Sequence, residues 1–149
     1  MNKIKFYTKT YAQLTKDELY KILRLRAEVF VVEQDCPYQD VDNKDQKALH
    51  ILGVKNDKII AYTRIFKPHD YFEFASIGRV VVAEKERQHK YGYDLMEASI
   101  MAINIHFKTY TIAISAQVYL LKFYNNLGFI AQGDAYLEDG IPHLYMLRK

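Results

Sequence analysis

The sequence predicts a single α/β domain built on a mixed sheet flanked by helices. The segments from about Lys16 to about Val31 and from Gly92 to about His106 carry apolar residues at helical spacing. Short β-branched and aromatic runs lie before, between and after them. The second half alternates strand, helix, strand, helix, an order that brings partly parallel pairing. A chain of 149 residues, half of them hydrophobic, suits one domain over 1–149 with a core of its own.

Each element has a local reason. Ile4 and Phe6 alternate with polar residues, as an opening strand does. Thr15-Lys16-Asp17-Glu18 is a capping-box pattern, with Leu14 and Leu19 spaced as a hydrophobic staple. Leu19, Ile22, Leu23 and Ala27 then share one helical face. Glu33 to Asp45 is polar and turn-forming, so it reads as a loop, its acids either solvated surface or a functional patch. Its acid spacing resembles a calcium loop. Lys44 stands where a ligand belongs and Asp45 replaces the required glycine, which excludes calcium.

Leu49–Val54 and Ile59–Phe66 read as a hairpin around Asn56-Asp57-Lys58. Phe72 to Val82 is the next strand, and Val80, Val81 and Val82 imply cover on both faces. Gly78 inside it marks a bulge or a close backbone approach. The helix from Gly92 presents Leu95, Met96, Ala98, Met101, Ala102 and Ile105. Thr109–Ser115 is a strand and Val118–Asn126 a short helix stopped by Gly128. Phe129 onward and Pro142–Leu147 close the chain as an antiparallel pair around Glu138-Asp139-Gly140.

Composition excludes several classes. Lys plus Arg number 21 against 18 acidic residues, a surplus too small to argue for nucleic acid. No apolar run approaches membrane-spanning length, and the N-terminus lacks a signal-peptide core, so a cytoplasmic protein is expected. Cys36, the single cysteine, has no adjacent positive or histidine neighbour to make it a thiolate nucleophile. With His50 it has no ligand pattern for a metal. Base rates favour a homodimer.

The stretch with chemistry in it is Ile77 to Met96, a strand, a charged turn and a helix start. Free N–H groups and the positive end of a helix dipole make such a junction a phosphate site. The turn Arg87-Gln88-His89-Lys90-Tyr91-Gly92 adds positive side chains, although a solvated basic turn looks the same.

Two motifs carry a family resemblance. A valine-rich strand precedes Arg87-Gln88-His89-Lys90-Tyr91-Gly92, and Phe123-Tyr124-Asn125-Asn126-Leu127-Gly128-Phe129 follows the next strand. Together they resemble the GNAT superfamily of acetyl-CoA-dependent N-acetyltransferases, with Lys90 in place of a glycine. Arg26–Asp42, Ile77–Val81, Ala116–Leu120 and Glu138–His143 are similar to ElaA-like members, so the resemblance covers nearly the whole chain.

The resemblance implies a central mixed sheet splayed between strands four and five. It implies acetyl-CoA as co-substrate and an amine of a small molecule or peptide as acceptor. Val80, Val81 and Val82 would bear the pantetheine edge, through the backbone of Val80 and Val82. The amides from Arg87 to Gly92, across Gln88, His89, Lys90 and Tyr91, would take the pyrophosphate, and Asn125 would face the tail. Tyr124 matches the family's acid for the departing thiolate. The family's glutamate on strand four is absent, leaving Glu33 and His50, and with them His143, as candidate bases. Asp40, Asp42 and Asp45 hint at a cationic amine. The alternative is a non-catalytic acyl-CoA-binding or sensing module on the same fold. A protein-interaction domain with a filled cleft is a further class.

Overall fold

The computed structural model describes residues 3–149. Strands β1 (Lys5–Thr10), β2 (Leu49–Lys55), β3 (Lys58–Phe66), β4 (Ala75–Val82), β5 (Ile112–Gln117), β6 (Ile130–Glu138) and β7 (Ile141–Arg148) form one sheet. Their order is β1-β2-β3-β4-β5-β7-β6. Helices α1 (Lys16–Arg26), α2 (Tyr91–Phe107) and α3 (Leu121–Asn126) complete the fold. Among the described residues no helix is long and apolar enough to cross a membrane.

Local chemistry sets the elements. The Thr15 hydroxyl accepts from the Glu18 amide at 3.0 Å, and the Glu18 carboxylate accepts from the Thr15 amide at 2.9 Å. At its far end α1 widens into a π-helical segment, Ala27–Glu33. The β2–β3 hairpin turns on Asn56 (φ 53°) and Asp57 (φ 63°), the left-handed pair that matches strand twist.

Pairing is antiparallel throughout except between β4 and β5, which run parallel. There the register holds only for Ala75–Ile112 and Ser76–Ala113. Beyond it the strands part. β4 also carries the expected irregularity: Tyr62 faces Val81 and Arg64 faces Gly78, so two residues of β4 oppose Thr63 alone. Arg79, not Gly78, takes the left-handed backbone there, at φ 50°. β6 shifts register similarly between Gln132 and Tyr136, around Gly133.

Each face of the sheet has its own core. α2 packs Leu95, Met96, Ile100 and Ile103 against Ile65, Ile77 and Ile114. Met101 and Ile105, expected on that face, are exposed. The buried stripe instead includes Ser99, whose hydroxyl bonds Thr63 at 2.7 Å and the Leu95 carbonyl at 2.8 Å. On the other face Ile22, Leu25 and Val29 meet Leu52, Tyr62 and Val81.

The acidic stretch is the largest correction. Of the two readings the sequence left open, solvated surface fails for Asp40 and Asp45, which are buried, while their neighbours Gln39, Val41, Asn43 and Lys44 are exposed. Arg26 Nε meets Asp40 at 2.8 Å, and its Nη1 meets Asp45 at 2.8 Å. Arg64 holds Asp42 at 2.6 Å and Asp45 at 3.0 Å. Arg79 lies 2.9 Å from Asp40 and also donates to its carbonyl at 2.9 Å. The three aspartates face arginines, which removes them as a docking site for a cationic amine. Burial pushes the Asp42 carboxyl up, but Arg64, with help from Arg79, wins and holds it at about 2.

Replacing Asp45 with alanine leaves two buried guanidiniums short of a partner. The expected cost is about 3–5 kcal/mol by urea denaturation. The folded Asp42 carboxyl binds its proton more weakly than the unfolded one. Its contribution is therefore full above about pH 4 and is lost as pH falls toward about 2. Urea midpoints measured down this range should show that acid limb, and Asp42→Asn should flatten it.

Candidate functional site

Where β4 and β5 separate, a cleft of about 510 Å³ opens between them. Backbone alternation fixes what β4 offers to it. The Ala83 amide bonds the Ile60 carbonyl at 2.8 Å, so Ala83 and Val81 turn toward β3. Val80 and Val82 must then turn their N–H and C=O groups into the cleft. Val81 offers no backbone group there, and its side chain packs in the α1 core. Gly78 has open space where a Cβ would stand.

One of these groups is engaged. The Val82 carbonyl accepts from Arg87 Nε at 3.1 Å. The same guanidinium grips both oxygens of Glu33, at 2.6 and 2.9 Å. Glu33 thus reaches the cleft from the π-helical segment, but as the partner of Arg87.

The turn before α2 divides. Arg87, Lys90 and Gly92 border the cleft, whereas Gln88, His89 and Tyr91 do not. Lys90, at φ 59°, occupies a left-handed position where glycine is easiest. Its amide bonds the Arg87 carbonyl at 3.2 Å, and the Tyr93 amide bonds the Lys90 carbonyl at 3.2 Å. Tyr91 and Gly92, the first residues of α2, have no intrahelical acceptor for their N–H groups. A Cβ on Gly92 would sit 3.3 Å from the Phe123 ring, so glycine there lets α3 pack close.

Tyr124 is held by a helix stop. The Phe129 amide bonds the Tyr124 carbonyl at 3.1 Å and the Gly128 amide bonds the Asn125 carbonyl at 3.0 Å, a Schellman arrangement. Gly128 supplies the left-handed residue at φ 93°. Phe129 then packs edge-on to Tyr124, with ring centroids 6.1 Å apart. Tyr124 borders the cleft while 5% exposed, and burial raises its pKa, so the phenol keeps its proton. Asn125 is exposed and does not border the cleft.

His50 leaves the set of candidate bases. It is fully buried, bonded to the Tyr62 hydroxyl at 2.6 Å and the Asp45 carbonyl at 2.9 Å, and away from the cleft. Burial lowers its pKa, so it supports the charged loop as a neutral ring. His143 does border the cleft, with Nε2 3.6 Å from Glu138. Its Nδ1 lies 2.7 Å from the Ile141 carbonyl. Glu138 in turn accepts from the Ser115 hydroxyl at 3.0 Å, and Ser115 lies 2.5 Å from the Tyr136 hydroxyl.

Sequence reasoning missed Ser115, Tyr136 and Glu138. Their signal was alternation: a two-residue turn at Asp139-Gly140 pairs Glu138 with Ile141 and Tyr136 with His143. That register gathers Tyr136, Glu138 and His143 at one end of a hairpin.

A splayed parallel pair, a strand edge turned into the gap and a helix N-terminus beside it define an acyltransferase fold. The family model for the acetyltransferase (GNAT) domain matches residues 10–149, and the chain belongs to that family. It is 44% identical over 141 residues to protein ElaA of Escherichia coli, covering 93% of this chain and 92% of that one. Their structures agree with a TM-score of 0.91, over 98% of this chain and 99% of the other. An acyl-CoA N-acyltransferase of Pseudomonas aeruginosa is 39% identical with a TM-score of 0.90, over 97% and 99% of the two chains. A UPF0039 protein of Schizosaccharomyces pombe is 40% identical over 148 residues, covering 98% of this chain and 97% of its own.

Gly128→Ala puts a side chain on a left-handed backbone and a Cβ 3.3 Å from Arg148 Nε. The expected loss is about 1–2 kcal/mol in thermal or urea denaturation, from the backbone strain alone.

Proposed function

We propose that the protein transfers an acetyl group from acetyl-CoA to a primary amine of a small molecule or peptide. The observation that carries this reading is the β4 edge: the backbone of Val80 and Val82 faces a cleft that Tyr124 also borders. A pantetheine arm carries amides that pair with such an edge as an added strand would. The free amide of Gly92 and the Lys90 side chain, both at the cleft, suit a pyrophosphate. Arg87 joins them once it releases Glu33.

The chemistry asks for three services. The amine nitrogen must be neutral to attack the thioester, forming the C–N bond as the C–S bond breaks. In this reading Glu138 and His143, which both border the cleft, are the groups that receive its proton. The Tyr124 hydroxyl, protonated at neutral pH, gives a proton to the departing thiolate. The Val80 amide is the strand-four donor for the developing oxyanion.

A non-catalytic acyl-CoA-binding module is the second reading. One observation favours it: β4 carries no carboxylate, and Glu33 is bound on both oxygens by Arg87.

Calorimetric titration with acetyl-CoA should show binding, and silence at millimolar concentrations would sink both readings. Thiol release with amines, polyamines and peptide N-termini separates them, because only the first reading expects turnover. Tyr124→Phe should lower turnover about 100-fold while acetyl-CoA affinity stays within about twofold. Unchanged turnover would make Tyr124 a packing residue only.

A further inference from the structure

A second, smaller cavity of about 60 Å³ adjoins the cleft. It lies on the face of the sheet that carries Arg64 and Phe66, and it shares Gly78, Ser115 and Glu138 with the cleft. Two of its lining residues each carry a buried polar atom without a hydrogen-bond partner, Ser76 Oγ and Arg64 Nε. Ser76 is 2% exposed and Arg64 1%. The remaining nitrogens of Arg64 are taken by Asp42 and Asp45. A buried donor left unpaired costs about 1–3 kcal/mol, so two beside one cavity point to an occupant.

The chemistry of the occupant follows from the donors. A guanidinium N–H only donates, and a serine hydroxyl donates readily, so the occupant presents an acceptor oxygen. At the shared border Glu138 only accepts; Ser115 already binds one of its oxygens. A carboxylate there suits an ammonium or amine N–H. The cavity holds roughly two water volumes, enough for a hydroxyl, carbonyl or carboxylate group and too little for a chain.

We propose that this cavity is a subsite for the acceptor, binding an oxygen that lies a few bonds from the amine nitrogen held at Glu138. The acceptor class is then a primary amine bearing a nearby hydroxyl, carbonyl or carboxylate, rather than a plain alkylamine. The proposal rests on the acetyl-transfer reading for its assay, but not for its binding test.

Propylamine, ethanolamine, glycinamide and glycine have similar bulk and differ in the oxygen they carry, so they separate the possible oxygen groups. In thiol-release assays at least one oxygen-bearing amine should exceed propylamine in kcat/KM by about tenfold. Ser76→Ala should cut that ratio about tenfold, toward unity. Equal use of all four amines by the wild-type protein overturns the proposal. So does a ratio that Ser76→Ala leaves unchanged, the result expected if water alone fills the cavity. If none of the four amines releases thiol, calorimetry of the same amines on CoA-loaded protein decides, and the acetyl-transfer reading is judged separately on the wider panel. Tighter binding of an oxygen-bearing amine, lost in Ser76→Ala, supports the subsite. Equal binding, or none, refutes it.

Discussion

Arg26 comes from α1, Arg64 from β3 and Arg79 from the bulge of β4, and all three close on Asp40, Asp42 and Asp45 in one loop. Buried charges of this kind do not by themselves make a fold more stable than a well-packed apolar core would. Each guanidinium here is held by a carboxylate of the loop, so removing one carboxylate strands a buried charge. The loop is drawn against the sheet, and the π-helical segment before it is held over β4. Arg79 is also tied to Asp40, which keeps a left-handed backbone that a β-strand residue would otherwise avoid. The bulge lies a short way beyond the last β4–β5 pair, Ser76 with Ala113, so the loop holds the stretch of β4 that lines the cleft.

The cleft is furnished from both sides of that break. Its β4 wall contributes backbone groups, and the turn into α2 contributes N–H groups and positive charge. The groups able to move protons come from later in the chain: Tyr124 from α3, Glu138 and His143 from the last hairpin. This division explains how β4 can lack a carboxylate while the cleft has one. A two-residue turn brings Glu138 to the same end of the sheet as Ser115, where a hydroxyl orients it.

Elements governed by local rules were legible in the sequence. The capping box at Thr15, the Asn56-Asp57 turn and the Gly128 stop each depend on residues within a few positions, and each stands where the pattern places it. The motifs around Arg87 and Tyr124 likewise located the family and the cleft. Sequence reasoning failed where distant residues decide. Arg26 sits at a buried helix position because aspartates more than a dozen residues away neutralise it, and no periodicity shows that. His50 looked like a base for want of knowing that Tyr62 and Asp45 already use both nitrogens. Met101 and Ile105 looked like core, yet the helix rolls to bury Ser99 against Thr63.

A sheet with open edges can recruit strands from other molecules and aggregate. Its outer edges are handled by familiar means: β1 carries Lys5 and Lys9, and β6 is kinked by its register shift. The β4 edge is different. It is open only inside the wedge beside β5, and Arg87 already occupies the Val82 carbonyl. Main-chain hydrogen-bonding groups exposed inside that wedge are therefore not offered at the outer rim of the sheet, where strands of other molecules would add.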